Sequence, residues 1–239
     1  MCYTASASLF SLTAAVLSCT LLFPYDRTLA TFFLFVALMQ VYDYIFWQNS
    51  ARTAVNYWTT KLAMLTNLSQ PLMLAFLAQM FIPGIVFGAA VTGILVAYAC
   101  VMLVFMAVNW SVVDYTRVAA VSAPSLLWKW NYAPGYIFVY SLYFVAFLAT
   151  ILAAYPYALG IFFASVVMAS FILTNTFFKR RRVGRLWCHI AGFLPIVFLL
   201  FGAFEKAQAK QPTAGSKVLA PKPGLFTGSC TWVRQSHRD

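Results

Sequence analysis

The sequence predicts an all-α integral membrane bundle of about seven transmembrane helices over residues 1–204, with a basic tail over 205–239. Three observations carry that expectation. Hydrophobic residues make up 63% of the chain and charged ones only 9%, against about a quarter charged in soluble domains, and the mean hydropathy is +0.81. Apolar runs long enough to cross a bilayer recur along the chain, separated by short polar or Pro/Gly turns. Within one of them stand an amide, an acid and an indole, Gln40, Asp43 and Trp47, spaced to share one helical face. An ionisable group at membrane depth costs about 2.5–3.5 kcal/mol on insertion scales, so it turns inward and takes a partner.

The first span, Ala5 to Phe23, is rich in Ser, Thr and Ala, small residues that let helices approach closely in lipid. Pro24, Asp26 and Arg27 turn the chain into the second, Thr28 to Gln48, which holds the polar face. A connector carrying Arg52 leads to the third, Tyr57 to Phe81, whose early Lys61 is expected to snorkel to the interface. There Asn67 and Gln70 lie one turn apart, and Pro71, having no N–H, strips the carbonyl of Asn67 of its helical partner. That local geometry serves either a polar ligand or a plain bundle kink. Pro83–Gly84 marks a turn before the fourth span, Ile85 to Val108. The long connection Asn109 to Asn131 carries Trp110, Trp128 and Trp130 as interface residues, with a short interfacial helix expected around Tyr115 to Ala123. Pro134–Gly135 opens the fifth span, Tyr136 to Ala154, and Tyr155–Pro156 turns into the sixth, Tyr157 to Phe178. The seventh, Leu186 to Phe204, begins Trp187–Cys188–His189. The tail lacks periodicity and reads as disordered.

A formal charge of +11 could indicate nucleic acid, but the cations sit between apolar runs and in the tail. Their expected partner is therefore the bilayer and its anionic headgroups, met above all by Lys179, Arg180, Arg181, Arg182 and Arg185. The connections on the N-terminal side hold most of the loop cations, which places the N-terminus in the cytoplasm, although the basic tail argues the other way. The five cysteines lack metal or redox spacing.

Depth brings the polar residues together. Asp43 and Trp47 close span two, Asn67 and Gln70 fall in the first half of span three, Asn175 ends span six, and Cys188 and His189 open span seven. All lie in the half of the bilayer nearest the N-terminus. Met1–Cys2, Met39–Gln40 with Asp43 and Trp47, Gln70–Pro71, and Gly184 with Trp187–Cys188 resemble, in that order, an uncharacterised multi-pass family of large DNA viruses and some protists. The chain departs from that pattern in having Asp43 in place of a glutamate and His189 in place of an aromatic residue. The resemblance implies the architecture and the choice of residues, and no activity.

Two functional classes follow. One is a transporter, channel or small-ligand-binding bundle with a buried site of Gln40, Asp43, Trp47, Asn67, Gln70, Trp187, Cys188 and His189, in which His189 either pairs with Asp43 or is solvated beside Arg185. The other is a structural or assembly role, with the tail on lipid. An enzyme is not expected, and neither is a metal or cofactor. Zinc hydrolysis wants about three ligands, while only two histidines are present and His237 lies in the tail. A Schiff-base lysine is missing from span seven. On this orientation the sequon Asn109–Trp110–Ser111 is cytoplasmic and should stay unmodified in a eukaryotic host, whereas a glycan there, seen as a mass shift removed by endoglycosidase, would reverse the topology.

Overall fold

The computed structural model describes residues 4–119, 125–177 and 193–200. The chain is mostly helical: α1 (Ala5–Leu22), α2 (Arg27–Gln48), α3 (Ala54–Phe81), α4 (Ala89–Asn109), α5 (Tyr136–Ala154) and α6 (Tyr157–Phe177), with residues 193–200 also helical. Four of these, α1, α2, α4 and α5, are long and apolar enough to cross a membrane. The expected boundary at residue 204, the tail, and Lys179, Arg180, Arg181, Arg182, Arg185, Trp187, Cys188 and His189 lie outside the described residues.

Side-chain caps fix the starts of the first three helices. Thr4 accepts from the N–H of Ala7, Asp26 from that of Leu29, and Thr53 from that of Asn56, each satisfying a donor that has no partner within its helix. The fourth helix begins at Ala89, later than the expected Ile85. Gly84, at φ 73°, turns the chain, and Ile85–Gly88 remains outside the helix. At the fifth, Gly135 takes φ 84°, a conformation that a side chain would strain.

Helix α1 buries Ser8, Ser11, Ala15, Ser18 and Cys19, a small-residue face that lets it lie close against α2. The hydroxyls of Ser11 and Ser18 turn back onto carbonyls of their own helix. In turn α2 packs on α3, and α3 on α5. At the end where α2 begins, Phe32 and Phe33 meet Phe147 of α5, Phe163 of α6 and Phe198 of 193–200, with ring centroids 5.6–6.0 Å from Phe32 or Phe33. Gly160 fits α6 against α5, since a Cβ there would lie 3.4 Å from the carbonyl oxygen of Ile151.

The expected interfacial helix over Tyr115 to Ala123 does not form over its described part, residues 115–119. Instead β1 (Arg117–Ala119) pairs antiparallel with β2 (Ser125–Leu127), in a register that sets Val118 opposite Leu126. A second departure is Lys61, which is 2% exposed rather than snorkelled outward.

At the turn between α1 and α2, the half-buried Asp26 carboxyl is pushed up from an ordinary 3.8 to about 6 by burial, although the N–H groups of Leu29 and Thr28 and the hydroxyl of Tyr155 favour its charged form. Because the folded value is raised, this group's contribution to stability is fully present below about pH 4 and is lost as pH rises through about 6. Asparagine is also a good N-cap. Asp26→Asn should therefore flatten the fall in melting temperature between those pH values, measured by thermal denaturation in detergent, without abolishing folding.

Candidate functional site

The connection between α4 and α5 folds back over the bundle, and α3 holds it there. Asn56 clamps Thr116 as a neighbouring strand would: its Oδ1 accepts from the Thr116 N–H at 3.0 Å, and its Nδ2 donates to the Thr116 carbonyl at 2.9 Å. One turn on, the Thr60 hydroxyl lies 3.1 Å from that of Thr116. Lys61 donates to the carbonyls of Trp110 and Val113, just past the end of α4, where the helix dipole favours a cation. Its ammonium also sits 4.5 Å from the ring centroid of Trp110 and 4.9 Å from that of Tyr57. Further out, Lys129 pairs with Asp114; burial opposes charge on that carboxyl, but Lys129 outweighs it and holds the pKa below the usual range.

Held in this way, the connection delivers two indoles to the interior. Trp128 and Trp130 stack with centroids 5.1 Å apart and planes 18° from parallel, and both are buried. The Trp128 Nε1–H donates to Asp43 Oδ1 at 3.1 Å. Asp43 itself is fully buried on the inward face of α2, beside Gln40 and with Trp47 one turn on. One partner of the acid is thus Trp128, a residue that the sequence places at an interface.

Asn67 and Gln70 face α5. The Tyr140 oxygen lies 2.6 Å from Asn67 Oδ1 and 2.7 Å from Asn131 Oδ1. A phenol carries one proton, so it donates to one amide oxygen while the other amide turns its NH2 towards it. Tyr143 donates to Gln70 Oε1 at 2.5 Å. Beside Pro71, the Tyr98 hydroxyl of α4 donates to the Leu68 carbonyl at 2.5 Å, so α4 supplies a donor where the proline weakens the helix. Asn67 and Gln70 therefore lie in a layer continuous with Asp43 through Trp128, Trp130, Asn131 and Tyr140.

No family model, curated protein or solved structure matches this chain. Among the described residues no group of three or more His, Cys, Asp or Glu could hold a metal. The side chain of Asn175 is not among those described. Asn109, the sequon residue, is buried and donates to the carbonyls of Phe105 and Pro134. A lack of glycan there would thus also follow from burial, whichever side it faces.

Tyr98, Tyr140, Tyr143, Asn56 and Trp128 escape a sequence reading. Asn56 stands in a polar connector, the tyrosines resemble lipid-facing aromatics, and Trp128 is separated from Asp43 by two helices. Lys61→Met would leave the carbonyls of Trp110 and Val113 without their donor, at a cost of about 1–3 kcal/mol. Asn56→Ala should cost a similar amount and, unlike a surface change, should expose the connection after Trp110 to protease. Melting temperature and limited proteolysis with mass mapping measure both effects.

Proposed function

We propose that the chain is a multi-pass membrane protein of about seven spans that takes up a small polar solute or ion at a buried site around Asp43. The membrane part of this reading is supported by the apolar exteriors of the helices. Most of α4 is not buried, and Leu103, Val104 and Val108 point outward. A water-soluble bundle would present polar residues there.

One observation carries the functional part: a fully buried carboxyl, Asp43, accepts a hydrogen bond from an indole brought in by a folded-back connection. An acid at this depth is the group through which a proton or cation is taken up and released. Gln40, Trp47, Asn67 and Gln70 supply polar groups in the same layer. His189, Trp187 and Cys188, expected from the sequence at a similar depth, belong to the same reading. The viral and protist family that the motifs resemble adds no activity to it.

The test is flux into proteoliposomes carrying an internal pH dye, under an imposed membrane potential. The native chain should pass protons or exchange them for a cation, and Asp43→Asn, nearly isosteric, should lose at least about tenfold in rate while melting within a few degrees of the native protein. Equal flux in both proteins, or none in the native one, removes the reading.

A structural or assembly role is the second reading, favoured by the engagement of Asn67 and Gln70 with Tyr140 and Tyr143. It assigns the basic tail to anionic headgroups, at about 1 kcal/mol for each cation near the surface. Cutting the chain after Ala209 should then leave the melting temperature unchanged and reduce binding to anionic liposomes, with the lost part sensitive to salt.

A further inference from the structure

Among the described residues, three buried nitrogen atoms around Asp43 have no hydrogen-bond partner: Trp130 Nε1, Gln70 Nε2 and Trp47 Nε1. Trp130 and Gln70 are fully buried residues, so bulk water does not reach these atoms. Two neighbouring polar atoms are already in use. Gln70 Oε1 accepts from Tyr143, and Trp128 Nε1 donates to Asp43. A buried donor left without an acceptor is unfavourable, and such groups in native proteins are usually met by an ordered water or a ligand.

A chain of contacts links the three residues. Trp47 follows Asp43 by one turn of α2, and Asp43 holds Trp128, which stacks on Trp130. Asn131, next in the chain, reaches Tyr140, whose ring lies 5.8 Å from that of Tyr143, the partner of Gln70.

We infer that this layer binds a neutral oxygen acceptor, either water or the carbonyl of a small uncharged solute, through the indole N–H of Trp130 and the amide of Gln70, with the Trp47 indole as a further donor. The chemistry of the donors sets the class. An indole N–H and an amide NH2 donate and cannot accept, so a metal ion or an ammonium group offers them nothing. An anion would share the layer with the Asp43 carboxyl. Of the described lysines, Lys61 is committed to the carbonyls of Trp110 and Val113, and Lys129 to Asp114. A neutral oxygen meets the donors without adding charge. The inference deepens the solute-site reading and rests on it for function, but its test is independent of flux.

The test uses the full chain, labelled with 15N-tryptophan, in phosphatidylcholine nanodiscs, with the indole N–H signals assigned through Trp47→Phe and Trp130→Phe. Three probes of similar size are added in turn: acetophenone (neutral), benzoate (anionic) and benzylammonium (cationic). The expected result is a Trp130 signal at a hydrogen-bonded position that either shows magnetisation transfer from water, marking water as the occupant, or moves saturably with acetophenone, marking a carbonyl site. In the carbonyl case Gln70→Leu, which keeps the packed indoles, should raise the half-saturating concentration at least about fivefold. A Trp130 signal at the unbonded position that no probe moves overturns the inference. So does one that moves with benzoate or benzylammonium alone, or an acetophenone response that Gln70→Leu leaves unchanged. A flux assay in which Asp43→Asn has no effect would remove the solute-site reading while leaving these signals as they are, so the two failures are distinguishable.

Discussion

Buried backbone must be hydrogen-bonded, and the connection between α4 and α5 meets that requirement through one face of α3. The Trp110 and Val113 carbonyls and both backbone groups of Thr116 would otherwise be stranded under the bundle end. Asn56, Thr60 and Lys61 supply what they lack, and they do so from within two turns of one helix. The contact to Asp43 follows from that. With the connection held down, β1 and β2 can pair, β2 packs on α2, and Trp128 comes within reach of Asp43.

The same helix organises the second half of the polar layer. Pro71 weakens the α3 ladder, and the donors that gather beside it, Tyr98, Tyr140 and Tyr143, come from α4 and α5. Tyrosine suits this position because its ring packs as an apolar side chain while its hydroxyl meets an amide or carbonyl. Tyr143 shows both roles: its ring stacks 6.0 Å from that of Phe147 while its hydroxyl bonds Gln70. The polar layer is thus joined to the aromatic layer below it.

Much of this order was legible in the sequence. Apolar length located the helices, and the spacing of Gln40, Asp43 and Trp47 indicated which side of α2 faces inward, because helical periodicity is a local property. What stayed hidden was non-local. A run containing Val118 and Val121 before Pro124 does not announce a strand, and its pairing rests on an asparagine 60 positions earlier in the chain. Lys61 read as a snorkelling residue because its partners are carbonyls, which no side-chain pattern reveals. One partner of Asp43, Trp128, comes from a connection and not from a neighbouring span. Loops that fold inward are set by the groups able to satisfy their backbone, and those groups look ordinary in sequence.

The arrangement also constrains how a solute could move. Asp26 and Asp43 stand about 25 Å apart along the α2 axis. Between them, on the inward face of that helix, Phe32 and Phe33 meet Phe147, Phe163 and Phe198. Such a layer of interlocked rings offers no hydrogen bonds to a polar solute or a proton. On the transport reading, Asp43 in this conformation is therefore served from the end where Trp128 lies, and passage to the other end requires the rings to part. The residues that would resist such parting are those that lock α6 to α5, Gly160 by close approach and Tyr155 by its ring against Phe163. On the structural reading the ring layer has no reason to open, and the polar layer above it serves only to seat the connection. The two readings thus differ in whether the aromatic layer moves.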